Sequence, residues 1–208
     1  MYRRIFITLG LIAVSFLILF ISITQTAQVR YSFNEKLTGS PRVLGDEAQV
    51  EYYFPYSGRI QPDHPLWFLK AMRDRAWLLV TPKAERKAEL NLLFANKRLV
   101  SSKMLFERDK PELAFMVLTK AEKYLENSLE EEEKARSSSV DTKSFLYQLS
   151  LASLKHIEVI REITDIAPDD AKPEIIKMEN YAQSIYQESK NNLHESGMIP
   201  PKDPTPKS

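Results

Sequence analysis

Four successive segments of about 25 residues, punctuated by proline and polar turns, each carry an apolar stripe at helical spacing. This pattern constrains the fold more than anything else in the chain. A helix of that length with one apolar face must be covered by another element. The first segment runs from Pro82 to about Arg108 with the stripe Ala84, Ala88, Leu92, Ala95, Leu99, Ser102 and Phe106. Asp109-Lys110-Pro111-Glu112 reads as a capping box at a tight reversal. The second segment then shows Leu113, Val117, Ala121, Tyr124 and Ser128, and is expected to fray in Glu130–Lys134 as a solvated end. The third, capped by Asp141, carries Leu149, Ala152, His156, Val159, Ile163 and Ile166 and stops before Pro168. The fourth shows Ile175, Met178, Ala182, Ile185, Ser189 and Leu193, with Gly197 as its C-cap.

Short links make neighbours antiparallel, so the expected fold is all-α: an antiparallel up-down bundle of about four long helices plus one short helix. Stacked hairpins of the tetratricopeptide kind are the competitor. Against them, no period of about 34 residues is present and the helices are too long. The short helix begins near Pro65, with Asp63 or His64 as N-cap, and ends at Thr81-Pro82. Leu66, Leu69, Met72, Ala76 and Val80 form its stripe, beside Trp67, Phe68, Trp77 and Leu79. So wide an apolar surface predicts burial on most sides.

Upstream, Ile5 to Ile23 is apolar apart from Thr8, Gly10, Ser15 and Ser22, and spans about 28 Å as a helix, close to a bilayer's hydrocarbon thickness. Arg3 and Arg4 precede it and no charge follows until Arg30, which keeps residues 1–4 cytoplasmic and exports the remainder. A cleaved signal peptide is the competing reading, opposed by the length of the run and by bulky Gln25 ahead of Ala27. The expected organisation is a signal-anchor transmembrane helix over 5–23, an extracytoplasmic stem over 24–61, a helical bundle over 62–197 and a disordered, proline-rich tail over 198–208. In the stem, Tyr52, Tyr53, Phe54 and Tyr56 are expected to pack onto the helices. The expected location is a bacterial cell membrane, single-pass, with the bilayer as a partner through residues 5–23.

Chemistry is hard to find. The chain has no Cys, which excludes disulfides, thiolate metal sites and a Cys nucleophile. Its 29 basic and 28 acidic residues leave a formal charge of +1, so no overall field attracts nucleic acid. Di-iron bundles need Glu-x-x-His pairs, but Ser153 precedes His156 by three and Asn191 precedes His194 by three. Lys83, Arg86, Lys87, Lys97 and Arg98 alternate with acids, as on a solvated face. His156 lies on an apolar seam, where a hydrogen-bonded core histidine is weighed against a ligand or pH switch. No phosphate loop or nucleophile elbow is present. No enzyme activity, cofactor or metal is expected.

Tyr53-Phe54-Pro55-Tyr56-Ser57-Gly58, followed by Pro62-Asp63-His64-Pro65-Leu66-Trp67-Phe68-Leu69-Lys70 and Arg73-Asp74-Arg75, resembles an uncharacterised bacterial family of unknown function. That family is recognised by a Pro-Tyr-Pro-Gly turn and a Pro-Asp-x-Pro-Leu-aromatic-x-Leu-Lys helix start. The similarity continues through Glu85–Leu90, Lys110–Ala114 and Lys120–Leu125 and covers about residues 53 to 130. Ser57 replaces the second Pro of the turn and Gln61 an apolar residue, which predicts a looser turn. The resemblance implies an exported helical domain, often behind one membrane segment, and carries no catalytic residues.

The expected role is therefore interaction: a cell-envelope scaffold or complex subunit with a protein partner. Its candidate docking motif is Tyr53, Pro55, Tyr56, Pro62, Asp63, Pro65, Leu66, Trp67, Lys70 and Arg73. A ligand-binding or sensory bundle, with a groove near His156 and Tyr147, is the alternative.

Overall fold

The computed structural model describes residues 50–204. The expected cytoplasmic residues 1–4, the transmembrane helix over 5–23 and the stem as far as residue 49 lie outside the described residues. Among the described residues, no helix is long and apolar enough to cross a membrane. These residues form five helices and no strand: α1 (Trp67–Val80), α2 (Ala84–Phe106), α3 (Pro111–Ser137), α4 (Lys143–Ile166) and α5 (Lys172–Glu195).

The long helices make two hairpins, α2/α3 and α4/α5, within which packing is most extensive. The hairpins then meet mainly through α3 against α5 and α2 against α4. Each short link reverses the chain, so those cross-hairpin neighbours run parallel. This corrects the expected up-down order, in which α3 and α4 would pack as antiparallel neighbours: the bundle is two stacked hairpins around one apolar core, closer to the competing arrangement, though with longer helices.

A run of small residues explains the tight α2/α3 pairing. Ala88, Ala95 and Ser102 on α2, and Ala114, Ala121 and Ser128 on α3, recur every seventh residue and are all buried. Ser102 donates to the Ala114 carbonyl at 2.8 Å and Ser128 to the Ala88 carbonyl at 2.9 Å. A hydroxyl one bond beyond Cβ can reach the opposite backbone only if the helices lie close. Large residues flank this seam and fill the volume beside it, notably Leu92, Leu99, Leu118 and Leu125.

Three helix ends close in one way. Lys110 N bonds Leu105 O at 3.0 Å, Val140 N bonds Ala135 O at 3.2 Å and Met198 N bonds Leu193 O at 2.9 Å. Asp109, Ser139 and Gly197 sit in the left-handed region just before each closing residue, at φ 56°, 62° and 78°. Each is a Schellman closure, so Asp109 ends α2 and does not cap α3, and no capping box forms. Asp141 does accept a bond from Lys143 N at 3.2 Å at the start of α4.

Three further expectations need correction. α3 does not fray at the acidic run but continues to Ser137, and Glu132 is fully buried. Glu132 accepts from the Thr142 hydroxyl, and Arg136 Nε lies 3.3 Å away without hydrogen-bond alignment. Burial raises the Glu132 pKa above its ordinary value. The tail is not free where it leaves α5: Pro200 and Pro201 are buried, and Tyr186 donates to the Pro201 carbonyl at 2.9 Å. Finally, α1 is not buried on most sides, because only Asp74 and Trp77 are buried along it.

A candidate interaction site around α1

The chain enters the bundle through Val50, whose N–H donates to Glu158 Oε2 at 2.9 Å. Tyr52 then meets Asn96, whose amide nitrogen donates to the phenol oxygen at 2.8 Å. Asn96 Oδ1 lies 3.1 Å from His156 Nε2, and His156 Nδ1 lies 2.8 Å from Glu122 Oε1. Phe54 sets its ring edge-on to the imidazole at 5.7 Å. Burial pushes the Tyr52 phenol up to about 12. Four segments of the chain thus share one buried polar line. His156 is fully buried and both ring nitrogens are engaged by protein groups, so the imidazole is a core histidine in a network. Of the aromatic group, Tyr52 and Phe54 pack as expected, whereas Tyr53 and Tyr56 are 88% and 75% exposed.

The turn that follows is stapled from two sides. Gln61 Nε2 donates to Ser57 Oγ at 3.1 Å and to the Gly58 carbonyl at 2.6 Å. Lys70 Nζ reaches back from α1 to the Ser57 and Ile60 carbonyls at 2.6 and 3.2 Å, and lies 4.6 Å over the Trp67 ring. Gly58 adopts φ +93°, and a Cβ there would meet Lys70 Nζ at 3.4 Å. The looser turn expected from Ser57 and Gln61 is not what forms. The two residues are both buried and bond each other, so each departure supports the other. Burial among uncharged carbonyls brings the Lys70 pKa down to about 8.

α1 starts with Leu66 as its N-cap and has no side-chain cap bond, so neither Asp63 nor His64 caps it; His64 Nδ1 accepts from Leu66 N at 3.1 Å in the turn ahead of the helix. Asp63 instead bonds Lys110 at 2.7 Å and pairs with Arg108 at 3.8 Å, tying the turn to the α2–α3 reversal. The Lys110 bond holds the Asp63 carboxyl below its usual range. The candidate motif therefore divides. Lys70, Asp63, Trp67 and half-buried Pro55 and Pro62 are turned inward or held by bonds. Tyr53, Tyr56, Pro65, Leu66 and Arg73 face solvent, although Arg73 also bonds buried Asp74 at 2.8 Å.

Between α1 and α3 lies an open cleft of about 320 Å³. Phe68 and Met72 form one wall, Met116 and Lys120 the other, with Trp67, Tyr124 and Arg98 between them and Arg75 on the α1 side. Arg98 was expected on a solvated face, yet its side chain is 6% exposed. Its guanidinium lies 4.3 Å from the Tyr124 ring centre and 5.8 and 5.9 Å from those of Phe94 and Trp67. A flat, weakly hydrated cation tolerates such a box of rings. Alternating charge in the sequence hid this, because α2 turns Arg98 toward α1. Trp77 fastens α1 below, edge-on to Phe94 at 6.2 Å.

Residues 59–170 match the family described as a domain of unknown function, DUF5667. That is more than half of the 208 residues. The chain belongs to the DUF5667 family. No curated protein and no solved structure matches it. The DUF5667 match reaches beyond the expected end near residue 130 to take in α1 to α4, while α5 lies outside it. Both walls of the cleft fall inside the matched residues.

Proposed function

We propose that this DUF5667 chain is a single-pass, membrane-anchored extracytoplasmic domain that acts without catalysis, by binding a protein partner as an envelope scaffold or complex subunit. The anchor reading rests on the apolar run from Ile5 to Ile23 behind Arg3 and Arg4. The observation that carries the interaction reading is the uncovered face of α1. Leu66, Phe68, Leu69, Met72, Leu79 and Val80 are all exposed, in a molecule whose long helices bury their stripes. So many exposed large apolar side chains on and just ahead of one short helix are what an interaction site presents. The ligand-binding alternative loses its focus at His156, which has no free ring nitrogen.

Fractionation with external protease tests the topology. Full-length protein should pellet with membranes and be digested from outside, and deletion of residues 5–23 should release it. Membrane binding that survives the deletion, or protection from external protease, would sink the anchor reading. Photo-crosslinking from several surface positions, followed by identification of the attached proteins, tests the interaction reading. Crosslinks to no protein from any face would end it.

A further inference from the structure

The α1–α3 cleft has chemistry that selects among partners. Among the described residues it is lined by Arg75, Arg98 and Lys120 and by no carboxylate. Among the described residues, the Arg98 side chain makes no hydrogen bond, and its ion-pair partner Asp74 stands 3.7 Å away while bonding Arg73 at 2.8 Å. One carboxylate thus serves two guanidiniums. Arg75 and Lys120 make no ion pair among the described residues, although the chain as a whole is nearly neutral. A nearly buried guanidinium at the floor of a cleft, whose one carboxylate stands at 3.7 Å, can receive a second carboxylate.

The walls are apolar and open: Phe68, Met72 and Met116 are 64%, 54% and 54% exposed. Small-molecule sites bury most of their ligand's surface, and these walls would leave such a ligand half in water. A helix laid along the cleft would cover both walls at once. Phe68, Met72 and Leu79 lie four and then seven residues apart, on one face of α1 over about 16 Å. Thioether side chains on facing walls adapt to whatever apolar groups enter. A lipid surface fits less well. In a membrane the charged headgroups lie outside the tails, whereas here Arg98 lies deeper than the Met72 and Met116 tips.

The geometry points to this cleft as the docking groove for a short amphipathic helix of a partner protein, one that sets apolar side chains between Phe68, Met72 and Met116 and a carboxylate against Arg98. This assignment rests on the interaction reading above and names its surface and the chemistry of its partner. Arg75 and Lys120 steer the acidic side of that helix and fix its direction.

The test uses the full chain in detergent micelles and three fluorescein-labelled peptides of about 14 residues. One has leucines at helical spacing flanked by glutamates, one has lysines in place of the glutamates, and one is the acidic composition scrambled out of period. Fluorescence anisotropy should show the acidic periodic peptide binding at least about tenfold tighter than either control. Met72→Asp and Lys120→Glu, both at exposed positions, should each weaken it about tenfold. Arg98→Met should do the same, and the two surface variants decide the matter if that protein does not fold. Equal binding of the three peptides, or no binding by any, overturns the assignment. So does indifference to both surface variants, or displacement of the peptide by phosphatidylglycerol vesicles, which would make the cleft a lipid site. If crosslinked partners attach through another face and never at Met72, the interaction reading stands and the cleft assignment falls.

Discussion

Lys70 holds the Ser57–Ile60 turn with an ammonium placed against two carbonyls and the Trp67 ring, none of which carries countercharge. Its pKa of about 8 is the signature of that arrangement, lowered from 10.5 chiefly by burial. The consequence for stability has a definite sign. Below pH 8 the folded state bears the whole cost of the buried charge. As pH rises from about 8 toward 10.5 the unfolded chain binds the extra proton and the cost fades, so the contribution of Lys70 to stability rises. Competitive acetylation read by mass spectrometry checks this directly. Lys70 should acylate along a pH profile centred near 8, well below the ordinary amine value of 10.5. A Lys70 profile centred at that ordinary value would mean the ammonium is hydrated and the turn is not stapled. In the sequence this lysine was visible as part of a motif, but its function was not. Whether a lysine reaches back thirteen residues to carbonyls depends on a turn whose shape Ser57 and Gln61 determine together.

At the scale of elements, the stripes of the long helices could be read from periodicity because a 3.6-residue repeat against polar residues leaves little choice of face. Ala88, Leu92, Ala95, Leu99 and Ser102 are buried as the spacing required. What the spacing could not convey is that Ala88-Ala95-Ser102 faces Ala114-Ala121-Ser128, since the partner of a stripe is a tertiary fact. The ends were less legible. Asp109 looks like an N-cap but closes the preceding helix, because a left-handed residue at φ 56° completes a Schellman bond that competes with the capping box. α1 misled most, because an apolar helix reads as buried, yet only Asp74 and Trp77 are buried along it. The seam makes its own prediction. Ala121→Leu should destabilise the protein by about 2–3 kcal/mol, since two helices in near-backbone contact cannot open locally to admit an isobutyl group. Met116→Leu, on the exposed side of the same helix, should change little. Urea denaturation of both variants measures the difference. Equal effects would show that α2 and α3 are not closely apposed.

Across the whole molecule, one buried line of polar groups joins the incoming chain to α2, α3 and α4: Tyr52, Asn96, His156 and Glu122. The sequence placed His156 on a seam and weighed a core histidine against a ligand, but its partners come from positions 34 and 60 residues away and could not be seen. In the arrangement found, Asn96 Oδ1 faces His156 Nε2 at 3.1 Å and Glu122 Oε1 faces Nδ1 at 2.8 Å. Among the described residues, Glu122 Oε2 has no partner and the carboxyl's one hydrogen bond is to the imidazole. That dependence separates a structural network from a dispensable one. His156→Leu should cost about 3–5 kcal/mol, because an acid is left buried without its partner. Adding Glu122→Leu should recover most of that loss, since two apolar residues need no such partner. The cycle can be measured by urea denaturation of the full chain in detergent micelles. If His156→Leu alone is neutral, Glu122 finds solvent or another donor, and the bundle is looser around this line than its burial implies. If the double variant is no better than the single one, the imidazole contributes through Phe54 and Asn96 instead, and the anchorage of the incoming segment, not the acid, is what His156 secures.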